Sequence, residues 1–348
     1  MYYPHPNRRF FAAATAMSLA SLAAPALWAQ PRPEKTKILI AAADKTTFYD
    51  LPLTIAEQLG FFKAEGLDVE ISDFVGGERA LQAVLGGSAD VVSGTFERTI
   101  RLQLKGQKFQ AFVLQGRAPA IAMGISLRTM PNYKTVADLK GKRIGISEVG
   151  ASTHLVASLI LSRAGLAAGE VSFVPVGAAA GALAAWRAGQ IDVISHGDPV
   201  MTLLEQKGDI RLIADTRTLK GALDVFEGPM PAGCLFAPLE FVEKNPNTVQ
   251  ALTNAITHSL KWLQTAGPSD LIKTVPESYL LGDRALYLAA FDKVREAISP
   301  DGMIGEDGPS TALKALARMD PSLKVHQVQL AKTYTNEFSR KSKERFKA

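Results

Sequence analysis

The chain has 348 residues, of which 47% are hydrophobic and 21% charged, with 39 Lys and Arg against 34 Asp and Glu. That is enough for two lobes with cores of their own, and the composition excludes a fibre, a low-complexity chain and a disordered one. The net charge of +5 owes much to the tail "RKSKERFK" (340–347), which reads as a solvated helix end. The body shows no basic patch interleaved with aromatics, so no nucleic-acid partner is expected.

The first element is a targeting segment. In "NRRFFAAATAMSLASLAAPALWAQ" the basic Arg8 and Arg9 precede an apolar run from Phe10 to Leu22 and small residues toward Ala29. This is the layout of an export signal, too short to span a bilayer comfortably. Paired arginines before Phe-Phe resemble a twin-arginine signal, with the general secretory route as the alternative. Cleavage is expected after Ala29 or, alternatively, after Ala26. Removing 1–29 takes away two arginines and no acid, so the charge falls from +5 to +3. No Cys lies near the cut, so the mature chain is expected free of a lipid anchor in the periplasm.

Strands and helices then alternate. Strands are expected at 37–42, 67–74, 90–94 and 109–115, with helices at 51–66, 78–87 and 96–106. The pattern restarts after "DLKGK" (138–142) with strand 143–147, a helix from Ser152 to Gly165, strand 171–176, helix 178–189, strand 191–195, helix 199–208 and strand 210–214. Such alternation argues for sheets with helices on both faces. The two blocks are related: "LQAVLGGSADVVSG" (81–94) aligns without gaps on "LAAWRAGQIDVISH" (183–196), matching Gly87 with Gly189, Asp90 with Asp192 and Ser93 with Ser195. Beyond 222 the chain turns helical, with helices over 247–267, 283–299 and 309–319 expected to pack back on the first lobe. The single Cys234 lies in the strand-like "AGCLFAPL" and reads as a small buried hydrophobe. Arg117, near the lobe junction, reads as a structural ion-pair partner.

Enzyme signatures are absent: there is no G-x-S-x-G, Walker A loop, H-E-x-x-H, C-x-x-C or strand-borne G-x-G-x-x-G. His154 and His196 lack metal-ligand spacing, so no metal, cofactor or catalytic residue is expected. What recurs is the chemistry of the strand ends, where ligands of open α/β sheets bind. These are "DKTTFYD" (44–50), "VGGER" (75–79), "GTFE" (94–97), "EVGASTH" (148–154), "VGAAAG" (176–181) and "HGDP" (196–199), all rich in small and hydroxyl residues. Small residues at helix starts let backbone N–H groups approach an oxyanion. The candidate ligand-binding residues are therefore Phe48 and Tyr49 as walls; Gly76, Gly77 and Glu78; Thr95, Phe96 and Glu97; Ser152, Thr153 and His154; and His196 and Asp198. Ser152 and Thr153 could equally cap their own helix, and Asp198 before Pro199 is a good N-cap.

Taken in order, "AEQLGFFKAEGLDVE" (56–70), "GGERALQAVLGGSADVV" (76–92), "DLKGKRIGIS" (138–147), "GASTHLVASLILSRAGL" (150–166), "AGQIDVISHGDP" (188–199) and "FVEKNPNTVQAL" (241–252) resemble the substrate-binding proteins of ABC importers of the nitrate/sulfonate/taurine type. That family shares its fold with the thiamine-pyrimidine synthase proteins. The resemblance implies an α/β, two-lobed periplasmic-binding-protein fold (type II) with a ligand cleft between lobes: 1–29 export signal, 30–120 plus 223–348 the first lobe, and 121–222 the second. It implies a monomeric extracytoplasmic receptor that closes on a small solute and hands it to a membrane permease and its ATPase. The family does not fix the ligand. The helix start at Ser152, Thr153 and His154 points to a small organic oxyanion, a sulfonate or carboxylate. Glu78 and Glu97 would disfavour a simple anion such as nitrate, and Phe48 and Tyr49 suit a flat organic body. Two alternatives stay open: a pyrimidine-synthase-like enzyme, against which the export signal and the lone Cys argue, and a subunit presenting its ligand to a membrane sensor.

Overall fold

The computed structural model describes Met1 and residues 32–43, 45–74 and 76–348, so the expected export signal falls, Met1 aside, outside the described residues. Contacts group Met1–Arg32 and Pro33–Ala348 as two units, and the described strands and helices all lie in the second. Among them no helix is long and apolar enough to cross a membrane.

The expected alternation becomes two sheets. β1 (Lys37–Ala43) leads to α1 (Leu51–Gln58) and α2 (Phe61–Ala64). One helix was expected over 51–66; Gly60, at φ 71°, breaks it in the left-handed region glycine tolerates. There follow β2 (Asp68–Phe74), α3 (Gly77–Leu85), β3 (Val91–Thr95), α4 (Glu97–Leu104) and β4 (Phe109–Leu114). The chain then forms β5 (Ile121–Ser126), a strand the small-residue stretch "IAMGIS" did not announce. The second block runs β6 (Arg143–Ile146), α5 (Ser152–Arg163), β7 (Ser172–Pro175), α6 (Ala179–Arg187), β8 (Val193–Gly197), α7 (Val200–Gln206), β9 (Ile210–Asp215) and α8 (Leu219–Phe226). Last come β10 (Gly233–Pro238), which buries Cys234, and the helices α9 (Leu239–Lys244), α10 (Pro246–Thr265), α11 (Pro268–Thr274), α12 (Arg284–Val294), α13 (Gly308–Met319) and α14 (Glu337–Phe346).

The strand orders are β2-β1-β3-β10-β4 and β7-β6-β8-β5-β9. In each, the first three strands are parallel and the fourth, β10 or β5, runs antiparallel to both neighbours. That fourth strand is the one the chain makes on arriving from the other sheet, through 115–120 on the way out and 227–232 on the way back. In the outward segment the Arg117 guanidinium donates to the main-chain carbonyl of Glu296 at 2.8 Å, in place of the expected ion pair. The lobe boundary expected at 222 falls inside α8, which packs on β9 and α5.

The internal repeat has a structural basis. Gly87 and Gly189 both sit at positive φ, 74° and 65°. Asp90 accepts from the N–H of Leu39 in β1, and Asp192 accepts from the N–H of Arg143 in β6, each at 3.1 Å. Ser93 Oγ donates to Asp50 ahead of α1, and Ser195 Oγ donates to the Thr153 carbonyl in α5 at 2.8 Å. Each lobe thus fastens its first helix to its third strand with the same serine. α1 and α10 cover the first sheet through Ile38, Ile40, Leu53, Val249 and Leu252. Trp186, Ile194, Val200 and Met201 join α6 and α7 to the second. The tail 340–347 is the solvated helix end expected, its charged residues all exposed and only Ser342 buried, while just ahead of it α14 also buries Phe338 and Ser339 against α10 and β4.

Arg143 also donates to Asp192 from Nε at 2.9 Å and Nη2 at 2.8 Å, which holds the carboxyl down at about 2. A depressed carboxylate stabilises the fold above its unfolded value, near 3.9, and loses that contribution as pH falls through its folded value. Asp192→Asn is expected to cost about 1–2 kcal/mol at neutral pH, after allowing for screening at the half-exposed Arg143. In urea titrations at stepped pH, the gap from wild type should close between about pH 4 and pH 2.

Candidate functional site

Where the strands of the two sheets end, a cavity of about 250 Å³ opens between them. Its walls come from both sheets: Phe48, Tyr49, Phe74 and Val92 on one side, Leu155 and Val156 on the other. The returning segment supplies Met230 and Pro231, and Pro119 and Ala120 come from the outward one, so both crossings line the cavity. Phe48 is held from behind, its ring 4.8 Å from that of Tyr287 in α12. Tyr49 turns its hydroxyl to the Ala43 carbonyl at 2.7 Å.

The polar groups include several hydroxyls, and the charged ones are mostly acidic. Glu97 is 2% exposed; its Oε1 accepts from Thr95 Oγ1 at 2.6 Å and from Ser152 Oγ, across the cleft, at 3.2 Å. Arg98 lies 3.5 Å from both Glu78 and Glu148. Glu148 accepts from the Gly77 N–H at 2.7 Å. Asp73 completes the acidic side. His196 sets its ring nitrogens 3.1 Å from the Gly177 carbonyl and 3.3 Å from that of Gly197. Asp198 reaches the wall, but its carboxylate is spent inward, on the Thr202 N–H at 2.7 Å and on Arg217 at 3.2 Å. Burial pushes this carboxyl above its ordinary value, against the opposing pull of Arg217.

Phe48, Tyr49, Gly76, Gly77, Thr95, Glu97, Ser152, Thr153, His196 and Asp198 line the cavity. Glu78, Phe96 and His154 do not. Glu78 is half exposed in the first turn of α3, on Arg98 and Gln82. Phe96 is wholly buried, its ring edge-on to Tyr334, because the chain leaves β3 after Thr95 and is already helical at Phe96 (φ −57°, ψ −41°), which turns this side chain into the core. His154 turns its ring edge-on to Phe173 and accepts from the Gly150 N–H. Burial, with the charge of Arg101, lowers its basicity. Thr153 serves its own loop: Oγ1 accepts from the Ser147 N–H at 3.0 Å and shares a hydrogen bond with the Ser147 hydroxyl. Arg98, Glu148 and Met230 went unrecognised in the sequence. No local spacing announces a carboxylate that reaches across a cleft. Among the described residues no three His, Cys, Asp or Glu side chains gather as a metal ion requires.

The family model described as NMT1/THI5 like matches residues 47–267. The chain belongs to the NMT1/THI5-like family. The matched segment contains Glu97, Arg98, Glu148 and Ser152. A solved protein of Bordetella bronchiseptica RB50 is 56% identical over 91% of this chain and 100% of its own, with a TM-score of 0.89. YtlA of Bacillus subtilis (strain 168), which is named as a binding protein, is 22% identical over 78% of this chain and 80% of its own. The alkanesulfonate-binding protein SsuA of Xanthomonas axonopodis pv. citri, solved with MOPS, has a TM-score of 0.66 at 19% identity, over 87% of this chain and 99% of its own. The NMT1/THI5-like chain therefore has the two-lobed periplasmic-binding-protein fold expected from its sequence.

Proposed function

We propose that this protein is the extracytoplasmic solute receptor of an ABC importer, not an enzyme. On this reading it captures a small organic solute between the two lobes and passes it to a membrane permease and ATPase. The first lobe is 30–120 plus the C-terminal part. The second runs from 121 to Phe226, with 115–120 and 227–232 as hinges. Export by the 1–29 signal, cleavage, a periplasmic site of action and a monomeric state belong to the same proposal. The carrying observation is the cavity itself, walled by strand ends and helix starts of both sheets and crossed by both connecting segments. The binding role named for YtlA and the alkanesulfonate binding of SsuA support it.

An organic oxyanion remains the second reading, favoured by the SsuA likeness. The geometry favours a solute with an apolar body whose polar end brings hydrogen-bond donors. Glu97 is buried on the wall, and Glu148 already meets the helix start at Gly77. Thermal shift of the mature chain tests this against matched aryl amines, amides, carboxylates and sulfonates, with taurine, nitrate and pyrimidines. At roughly 100 times its Kd a solute adds about 2.7 kcal/mol, a clear rise in melting temperature. Hits among donors support the reading, and hits only among anions restore the oxyanion. No response, with no small molecule co-purifying in native mass spectrometry, would overturn the receptor reading.

A further inference from the structure

Glu148 belongs to the loop between β6 and α5, yet its carboxylate lies on the opposite lobe. Oε1 accepts from the Gly77 N–H at 2.7 Å and lies 3.5 Å from Arg98 Nη2. Gly77 opens α3, a nine-residue helix, so the acid meets an N–H with no intrahelical partner and the positive end of the helix. The glycine ahead of it makes the seat. A Cβ on Gly76 would stand 1.9 Å from Glu148 Oε2, and its φ of 92° favours glycine in any case. Donor, cation and cradle together form an anion site, and a carboxylate of the protein fills it. The arrangement is reciprocal: Glu97 of the first lobe accepts from Ser152 at the start of α5 in the second.

We propose that Glu148 is a built-in ligand of the first lobe. Its carboxylate occupies the anion seat at the start of α3, ties the lobes together across the cleft, and keeps anionic solutes out of that seat. The exclusion of solutes rests on the receptor reading; the tie does not. Parting the lobes withdraws Glu148 from Gly77, and closing them returns it. An incoming anion must displace a carboxylate tethered nearby, whose effective concentration is of order millimolar for a short flexible link. A donor-bearing solute has no such competitor.

The test is chemical rescue of Glu148→Ala in the mature full chain by propionate, the free acid of a whole glutamate side chain. Without propionate the variant should melt lower than wild type and give a larger radius of gyration in small-angle scattering. At roughly ten times its Kd, propionate should raise the variant's melting temperature by about 2 °C or more over chloride of equal ionic strength. It should also restore the compact scattering curve, and leave wild type unchanged. Equal responses of wild type and variant, or a variant as compact as wild type without propionate, would overturn the proposal. Should Glu148→Ala not fold, Glu148→Gln decides. It keeps an acceptor for Gly77 and loses the charge, so it should be less compact than wild type, and identical curves count against the tie. Rescue by propionate with no solute found in the panel would leave the tie standing and the receptor reading fallen.

Discussion

Arg217→Met is expected to lower the unfolding free energy by about 3–5 kcal/mol, because it strands a buried carboxylate. The Arg217 side chain is 2% exposed and that of Asp198 is fully buried. The guanidinium is the hub of three acids: Asp215 at 2.8 and 2.7 Å, Glu205 at 2.8 Å and Asp198 at 3.2 Å. Asp215 and Glu205 keep partial access to water and can be resolvated. Asp198 cannot, and would be left with Thr202, through its N–H and its hydroxyl. Burial already pushes its carboxyl up, so losing Arg217 drives it further toward the protonated form. The sign follows: an acid whose folded pKa lies above its unfolded one weakens the fold as pH rises. The deficit of Arg217→Met should therefore be greatest at neutral pH and shrink as pH falls toward the ordinary Asp value near 3.9. Urea unfolding of the variant, of Asp198→Asn and of the double variant checks this. Adding Asp198→Asn to Arg217→Met should recover part of the loss, since the two sites share one network. A loss under about 1 kcal/mol at neutral pH would mean that water reaches Asp198 and that the hub is not structural.

What was legible in the sequence is what depends on neighbours along the chain. Gly87 and Gly189, with Asp90 and Asp192, betray the repeat because the turn and the strand-entry hydrogen bond are local devices built twice. β5 was not legible. A strand in the fourth position of a sheet is dictated by where the chain crosses, and "IAMGIS" has little period of its own. In α14 the charged tail is solvated as its composition announced, and what the charges hid is one face, Phe338, Ser339 and Ser342, that packs on α10. At the site, the strand-end rule located the cavity, but assigning three neighbouring residues to one wall ignored the helical turn that begins there. Thr95 and Glu97 reach the cavity while Phe96 does not; Ser152 and Thr153 do while His154 does not. Glu148 was beyond reach for another reason, since Gly77 and Arg98, which it meets, lie on the other side of the cleft and far away in the chain.

Glu97→Ala is expected to weaken solute binding by about tenfold to a hundredfold, the worth of one or two hydrogen bonds to a charged acceptor in a dry site. Both protein donors on this carboxylate, Thr95 and Ser152, reach Oε1, so among the described residues no protein donor is bonded to Oε2. A buried carboxylate with one oxygen in hand gains most from a solute donor, because leaving it unmet costs more than a bond to water returns. Calorimetric titration of wild type and variant with a solute found in the panel checks this. Glu97→Gln sorts the solute's chemistry: it keeps the size and one acceptor oxygen, so an uncharged donor should lose little, whereas a cation should lose nearly as much as with Ala. Both variants also lose the charge at the Ser152 contact, so their unliganded scattering should be recorded to separate a looser cleft from a poorer site. If Glu97→Ala bound the solute as tightly as wild type, Glu97 would be a partner of Ser152 alone, and the solute's polar end would have to be sought beside Arg98 and His196.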